Sequence, residues 1–96
     1  MTFLANDVSL GRQMLRRSVN ERIRGTIDWS EAGSIDVFCE CGRARCSDRL
    51  QVALDEFDDV LRTAGWFVVV PGHEDDGAER PLTRHEDVLV VDRNGL

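Results

Sequence analysis

Residues 38–46 read FCECGRARC, and His73 follows the last of these cysteines by 27 residues. Cys39 and Cys41 are two positions apart, so an extended backbone projects both thiols from one face. The glycine after the second cysteine permits a turn that brings Cys46 back toward the same point. Thiolates and imidazoles are the ligands that zinc prefers, in a tetrahedral arrangement. The spacing therefore predicts a structural zinc site formed by Cys39, Cys41, Cys46 and His73.

The fourth ligand is the open part of this prediction, because the chain has only three cysteines. His73 follows a Pro-Gly break, and a short turn there would aim its imidazole at the cysteines. Its competitors are Glu40, Asp48, His85 and a water molecule. Zinc and iron both accept thiolates, so ligand type alone does not separate them. Three thiolates and one neutral imidazole leave a zinc site at about −1, which nearby arginines would offset: Arg43, Arg45 and Arg49.

Two other interpretations of the cysteines compete with a metal site. Free cysteines are common core residues, and three could cluster as inert thiols. An exposed Cys-x-Cys pair beside arginines and a third cysteine could also form reversible disulfides, as in a thiol redox or zinc-responsive sensor. The polar residues between the cysteines and their tight spacing favour the metal. Because four protein ligands leave no open position, the metal is predicted to be structural and the protein not to be an enzyme.

The composition indicates one small domain, with 42% hydrophobic and 31% charged residues in a chain of 96. A core of this size supplies a thin margin of stability, which small domains often supplement with a metal. We predict a single domain over residues 1–96, in which residues 1–27 form an N-terminal helical arm and residues 28–96 a zinc-binding α+β body.

The charge distribution and hydropathy of the chain restrict the classes of partner that it could bind. Residues 1–27 carry a charge of +3 and the remainder −9. The acidic body would repel a polyanion, which argues against nucleic-acid binding, whereas the basic helix suits a protein partner or self-association. No apolar run approaches the roughly 20 residues that span a bilayer, and no secretory signal is visible. We therefore expect a cytoplasmic protein with no membrane partner, and no motif indicates a small-molecule substrate.

Hydrophobic periodicity predicts the elements around the cysteine cluster. A stripe of Leu15, Val19 and Ile23 predicts a helix from about Asn6 to Arg24. The apolar run over residues 66–70 predicts a central strand with both faces covered. The other predicted elements are a loop over 28–33, strands over 34–39 and 50–54, a short helix over 54–64 and a terminal hairpin with strands near 82 and 88–91. This order indicates an α+β fold: a small, mostly antiparallel sheet with an N-terminal helix and one short internal helix, stabilised by zinc.

Three segments carry a family resemblance: CECG at 39–42 with Cys46, FVVVPGH at 67–73 and VNERI at 19–23. Together they resemble a group of small actinobacterial proteins of undetermined function, in which a CEC-x(n)-C cluster precedes an F-V-V-x-P-G-H segment. The resemblance extends over about residues 15–91, with Phe57 where that group more often has tyrosine. It implies that the three cysteines and His73 belong to one unit, and it supplies no activity.

Overall fold

The computed structural model describes residues 5–27 and 33–93. Its elements, in chain order, are α1 (Ala5–Gly25), β1 (Ser34–Phe38), β2 (Arg49–Ala53), α2 (Leu54–Arg62), β3 (Trp66–Val69), β4 (Arg80–Arg84) and β5 (Leu89–Asp92). The α+β class is confirmed, with one N-terminal and one internal helix. The predicted loop over 28–33 lies outside the described residues apart from Gly33, and the division into arm and body stays a prediction.

The strands form two antiparallel sheets where the sequence predicted one. β1 pairs with β2, placing Ile35 opposite Val52 and Val37 opposite Leu50. The second sheet has the order β3-β5-β4. β5 is therefore its central strand, and the prediction that residues 66–70 form a central strand was wrong, although β3 is largely buried.

The outer edge of β3 is occupied by the cysteine segment, which explains why an apolar strand can lie at an edge. The Glu40 N–H donates to the Val68 carbonyl at 2.8 Å. The Glu40 carboxylate accepts from the Val68 N–H at 3.0 Å. The Val70 N–H donates to Cys39 Sγ at 3.2 Å. These contacts give partners to backbone groups that an edge strand would otherwise leave open.

The core lies where α2 packs against both sheets. α2 buries Leu54, Phe57 and Val60, which recur at the spacing of one helical face. The inward residues of β1 and β2 and most of β3 and β5 join them in one cluster of buried apolar side chains, which also contains Cys39 and Cys41. The cysteine segment is therefore continuous with the core.

Helix α1 packs against the rest of the protein with a polar face. Gln13, Arg17 and Asn20 recur at helical spacing and are buried. Of the apolar stripe that predicts the helix, Leu15 is 70% and Val19 44% exposed, whereas Ile23 packs against the core. No helix among the described residues is long and apolar enough to cross a membrane.

Two contacts far apart along α1 fix its position. Near its C-terminal end, Arg24 donates to both carboxylate oxygens of Asp58 in α2, at 2.7 and 3.1 Å. This pairing holds the pKa of Asp58 below its usual range. Near the other end, Gly42 approaches Ser9 so closely that a Cβ at position 42 would lie 1.7 Å from Ser9 Oγ and 3.1 Å from Ser9 Cα. α1 is therefore held both to α2 and to the cysteine segment.

We expect Gly42→Ala to destabilise the protein. The new methyl group would meet Ser9 backbone as well as its side chain, so the helix or the loop must shift. Overpacking of this kind typically lowers the free energy of unfolding by about 1–3 kcal/mol. The denaturation midpoint in urea, compared at equal slope, measures the change.

Gly11→Ala is the matched control, because position 11 lies in the same helix as Ser9 and has nothing within 4 Å of a new Cβ. Alanine favours a helix over glycine by up to about 1 kcal/mol, so this variant is expected to be more stable than the parent. Equal effects of the two substitutions would contradict the close approach at Gly42.

Candidate metal centre

The structure brings the four predicted ligands together. One ligand atom from each of Cys39, Cys41, Cys46 and His73 lies within 4.8 Å of the others. His73 Nδ1 is 3.6 Å from Cys39 Sγ and 3.5 Å from Cys46 Sγ. With Zn–S near 2.3 Å and Zn–N near 2.05 Å, tetrahedral geometry requires an S···N separation of about 3.6 Å. These two separations fit that geometry, and the group could hold a metal ion.

The cysteines are positioned by strand extension followed by a turn. The Cys39 N–H donates to the Asp48 carbonyl at 2.9 Å, which continues the pairing of β1 and β2 by one residue. Cys41 then lies buried two residues further on. The Cys46 N–H reaches the Arg43 carbonyl at 3.5 Å, in a turn that brings the chain back. We call residues 39–46 the metal loop.

His73 is positioned by a β-turn over residues 70–73. Its N–H donates to the Val70 carbonyl at 2.8 Å, Pro71 occupies the second position and Gly72 the third, with φ +98°. A type II turn favours proline at its second position and requires a positive φ at its third, so the Pro-Gly pair fits the turn. On the other side of the imidazole, Nε2 faces the Asp48 carboxylate at 3.7 Å. A carboxylate on this side is a common orienting partner of a metal-binding histidine.

The side-chain competitors for the fourth position are engaged elsewhere. The Glu40 carboxylate is fully buried and accepts hydrogen bonds from Arg17 at 2.9 and 3.0 Å. It also accepts from Asn20 at 2.9 Å and from the backbone of β3. His85 contacts Glu56 Oε2 at 2.7 Å. Among the described residues, only His73 joins the three thiols in a group suited to a metal.

An arginine in contact with the thiols comes from α1, and the sequence analysis did not identify it. Arg16 Nη1 lies 3.7 Å from Cys41 Sγ and donates to the Cys41 carbonyl at 2.5 Å, while Nη2 donates to the Cys46 carbonyl at 2.9 Å. Of the arginines predicted to offset the charge, Arg43 instead donates to the Gly72 carbonyl and Arg49 lies over the Phe38 ring. No pattern near the cysteines identified Arg16, because it lies 25 residues away in sequence from Cys41.

The three thiols do not ionise independently. Hydrogen bonding with the Cys39 thiol lowers the pKa of Cys41 to about 4. The same bond raises the pKa of Cys39, and burial raises the pKa of Cys46. One thiolate is therefore stabilised at the expense of the others. A divalent cation among them would stabilise all three thiolates together, since a bound cation is the largest local charge in such a site.

Helix α1 binds the metal loop and the residue before it mainly through backbone carbonyls. Asn20, for example, accepts from the Phe38 N–H at 2.8 Å and donates to the Phe38 carbonyl at 2.9 Å. Side chains of α1 donate to carbonyls throughout this segment: Arg12 to Gly42, Gln13 to Glu40, and Arg16 to Cys41 and Cys46. Among the described residues, no buried side-chain nitrogen or oxygen lacks a partner. The docking of α1 and the conformation of the metal loop therefore depend on each other.

Comparison with known proteins does not identify the site, so its function is inferred from its own geometry and chemistry. No protein-family model, curated protein or solved structure matches the chain. The resemblance of the sequence to small actinobacterial proteins therefore stays a prediction.

Proposed function

We propose that the protein is a zinc-stabilised interaction module, in which one Zn²⁺ holds α1 against the α+β body and so presents the outer face of the helix to a protein partner. The observation that carries the proposal is the group of Cys39, Cys41, Cys46 and His73, whose S···N separations of 3.5 and 3.6 Å fit tetrahedral zinc. Four protein ligands leave no position for water or substrate, which favours a structural over a catalytic metal.

The metal acts on α1 through the metal loop. When a cation fixes the three thiolates, it also fixes the carbonyls between them, which accept hydrogen bonds from Arg12, Gln13 and Arg16. Because binding energy at a structural metal is also folding energy, zinc would stabilise the docked helix as well as the loop. Thiolate ligands must stay reduced, and a cytoplasmic location would provide that environment.

An interaction role is favoured by what α1 leaves exposed. Its polar face is used to bind the protein's own metal loop, whereas Leu15 and Val19 remain accessible on another face. A helix that serves only to cover the core would bury its apolar stripe.

Native mass spectrometry of protein purified without a metal-affinity tag tests the proposal. We expect one zinc per chain, with zinc affinity lowered by His73→Ala because one of four ligands is removed. His85→Ala is the matched control, since it removes the other histidine of the chain, which contacts Glu56 and not the cysteines. Compact metal-free protein carrying a disulfide or a sulfenate would instead support a thiol redox sensor.

A further inference from the structure

An apolar groove lies between α1 and the metal loop. It has a volume of about 360 Å³, and its lining is Leu15, Arg16, Val19, Phe38, Cys46 and Ser47. Residues Leu15 and Val19 form the helical wall. Cys46 contributes to the opposite wall and is also one of the four metal ligands of the proposed site. The shape of the groove therefore depends on the folded metal loop.

The surroundings of the groove are rich in arginine. Arg16 lines it directly. The exposed Arg45 lines a neighbouring pocket that shares Cys46 and Ser47 with the groove. The exposed Arg49 lies with its guanidinium 5.0 Å from the centre of the Phe38 ring. Asp48, a nearby acidic residue, faces His73. An apolar surface with this rim would attract a segment that combines an apolar side chain with carboxylates, because arginine pairs with carboxylates in strong, directional hydrogen bonds.

The arginines of α1 disfavour a second copy of the chain as the occupant of the groove. If two α1 helices packed antiparallel about Leu15 and Val19, Arg22 of one copy would lie beside Arg12 of the other. Parallel packing would set each arginine against its own counterpart. Like charges facing each other at a helix interface act against pairing. The charge complementarity points to an acidic partner.

We propose that the groove binds an acidic segment of a partner protein, which inserts one bulky apolar side chain between α1 and the metal loop and places Asp or Glu residues against the arginine rim. The inference rests on the proposed function, since Cys46 both lines the groove and would bind the metal. The apolar side chain would supply most of the affinity, as buried anchors do in protein interfaces, and the carboxylates would supply orientation and specificity.

A displayed library of random peptides, selected against the zinc-loaded full chain, tests this inference. We expect the selected peptides to combine one or two bulky apolar residues with Asp and Glu, and their affinity to fall as salt is added. Leu15→Glu should weaken their binding by about tenfold or more, because it places a carboxylate in the apolar wall. Met14→Glu is the matched control: Met14 is 51% exposed on the same helix but does not line the groove, so binding should be unchanged.

Any of three binding results would overturn the inference: no selected peptide above background, selected peptides that are basic, or equal binding by the Leu15→Glu variant. A concentration-dependent dimer that Leu15→Glu dissolves would overturn it as well, because the occupant would then be a second copy. Zinc content and melting temperature are measured for every variant. If zinc stays bound while peptide binding fails, the groove proposal alone is wrong; if peptides bind a chain that takes up no zinc, the proposed function is wrong.

Discussion

Removing the metal with an excess of chelator should release α1 and abolish the cooperative thermal transition of the zinc-loaded protein. Structural zinc contributes on the order of 10–16 kcal/mol in small zinc-binding peptides, and a folded domain is stable by only about 5–15 kcal/mol in total. A zinc contribution of that size would be comparable with the whole stability of a chain of 96 residues. Because most of the carbonyls that accept hydrogen bonds from α1 side chains belong to the metal loop, the helix should be lost with the metal.

Circular dichroism during heating, with hydrogen exchange of the α1 amides, measures both effects. Adding zinc back should restore the transition and the protection of the helix. The His73→Ala variant should melt well below the parent, whereas His85→Ala should change stability little, because His85 is half-exposed. Identical melting curves with and without chelator would show that no metal stabilises the fold.

Arg17→Met should be among the most destabilising single substitutions in the helix, lowering the free energy of unfolding by about 3–5 kcal/mol. The Arg17 guanidinium donates to both oxygens of the fully buried Glu40 carboxylate and also to the Trp66 carbonyl. It stacks on the Phe67 ring, with its carbon 4.8 Å from the ring centre. Without it, a buried negative charge would lose its cation, and removing one partner of a buried pair costs more than the pair itself contributes.

Urea denaturation of a double-mutant cycle separates the charge from the packing. Arg17→Met combined with Glu40→Gln should recover much of the stability, because no charge is then left buried without a partner. Arg22→Met is the matched control, since Arg22 lies in the same helix but is exposed, and its effect should stay within about 0.5 kcal/mol. If Arg17→Met and Arg22→Met unfold at the same urea concentration, the buried Glu40 carboxylate does not need Arg17 for the stability of the fold.

The candidate site could be predicted from the sequence because short stretches of sequence determine where its ligands point. Two cysteines in alternate positions of a strand must face the same side, and the Pro-Gly pair before His73 fits one particular turn. What the sequence left open was the fourth ligand, for which Glu40, Asp48, His85 and a water molecule competed with His73. The alternation that joins Cys39 to Cys41 sends the residue between them to the other side, so the strand pattern itself argues against Glu40.

The packing of α1 was harder to predict, because helical periodicity identifies a helix without saying which face is buried. The apolar stripe through Leu15 and Val19 and the polar stripe through Gln13, Arg17 and Asn20 both recur at helical spacing. The polar stripe is the buried one because its partners are the Glu40 carboxylate and the carbonyls near the cysteines. Those partners become visible only when residues more than 15 apart in sequence are brought together.

Opening of the metal loop would expose the outer edge of β3. Residues 66–70 read WFVVV, an uncharged and strongly β-forming segment of the kind that adds to other chains in amyloid-like stacks. The opposite edge strand, β4, carries Pro81 and two arginines, which deter such addition. β3 has no such residues and relies on Cys39 and Glu40 to occupy its edge. The metal loop therefore shields β3 from association with other chains, and if zinc holds the loop as proposed, loss of zinc would expose this edge.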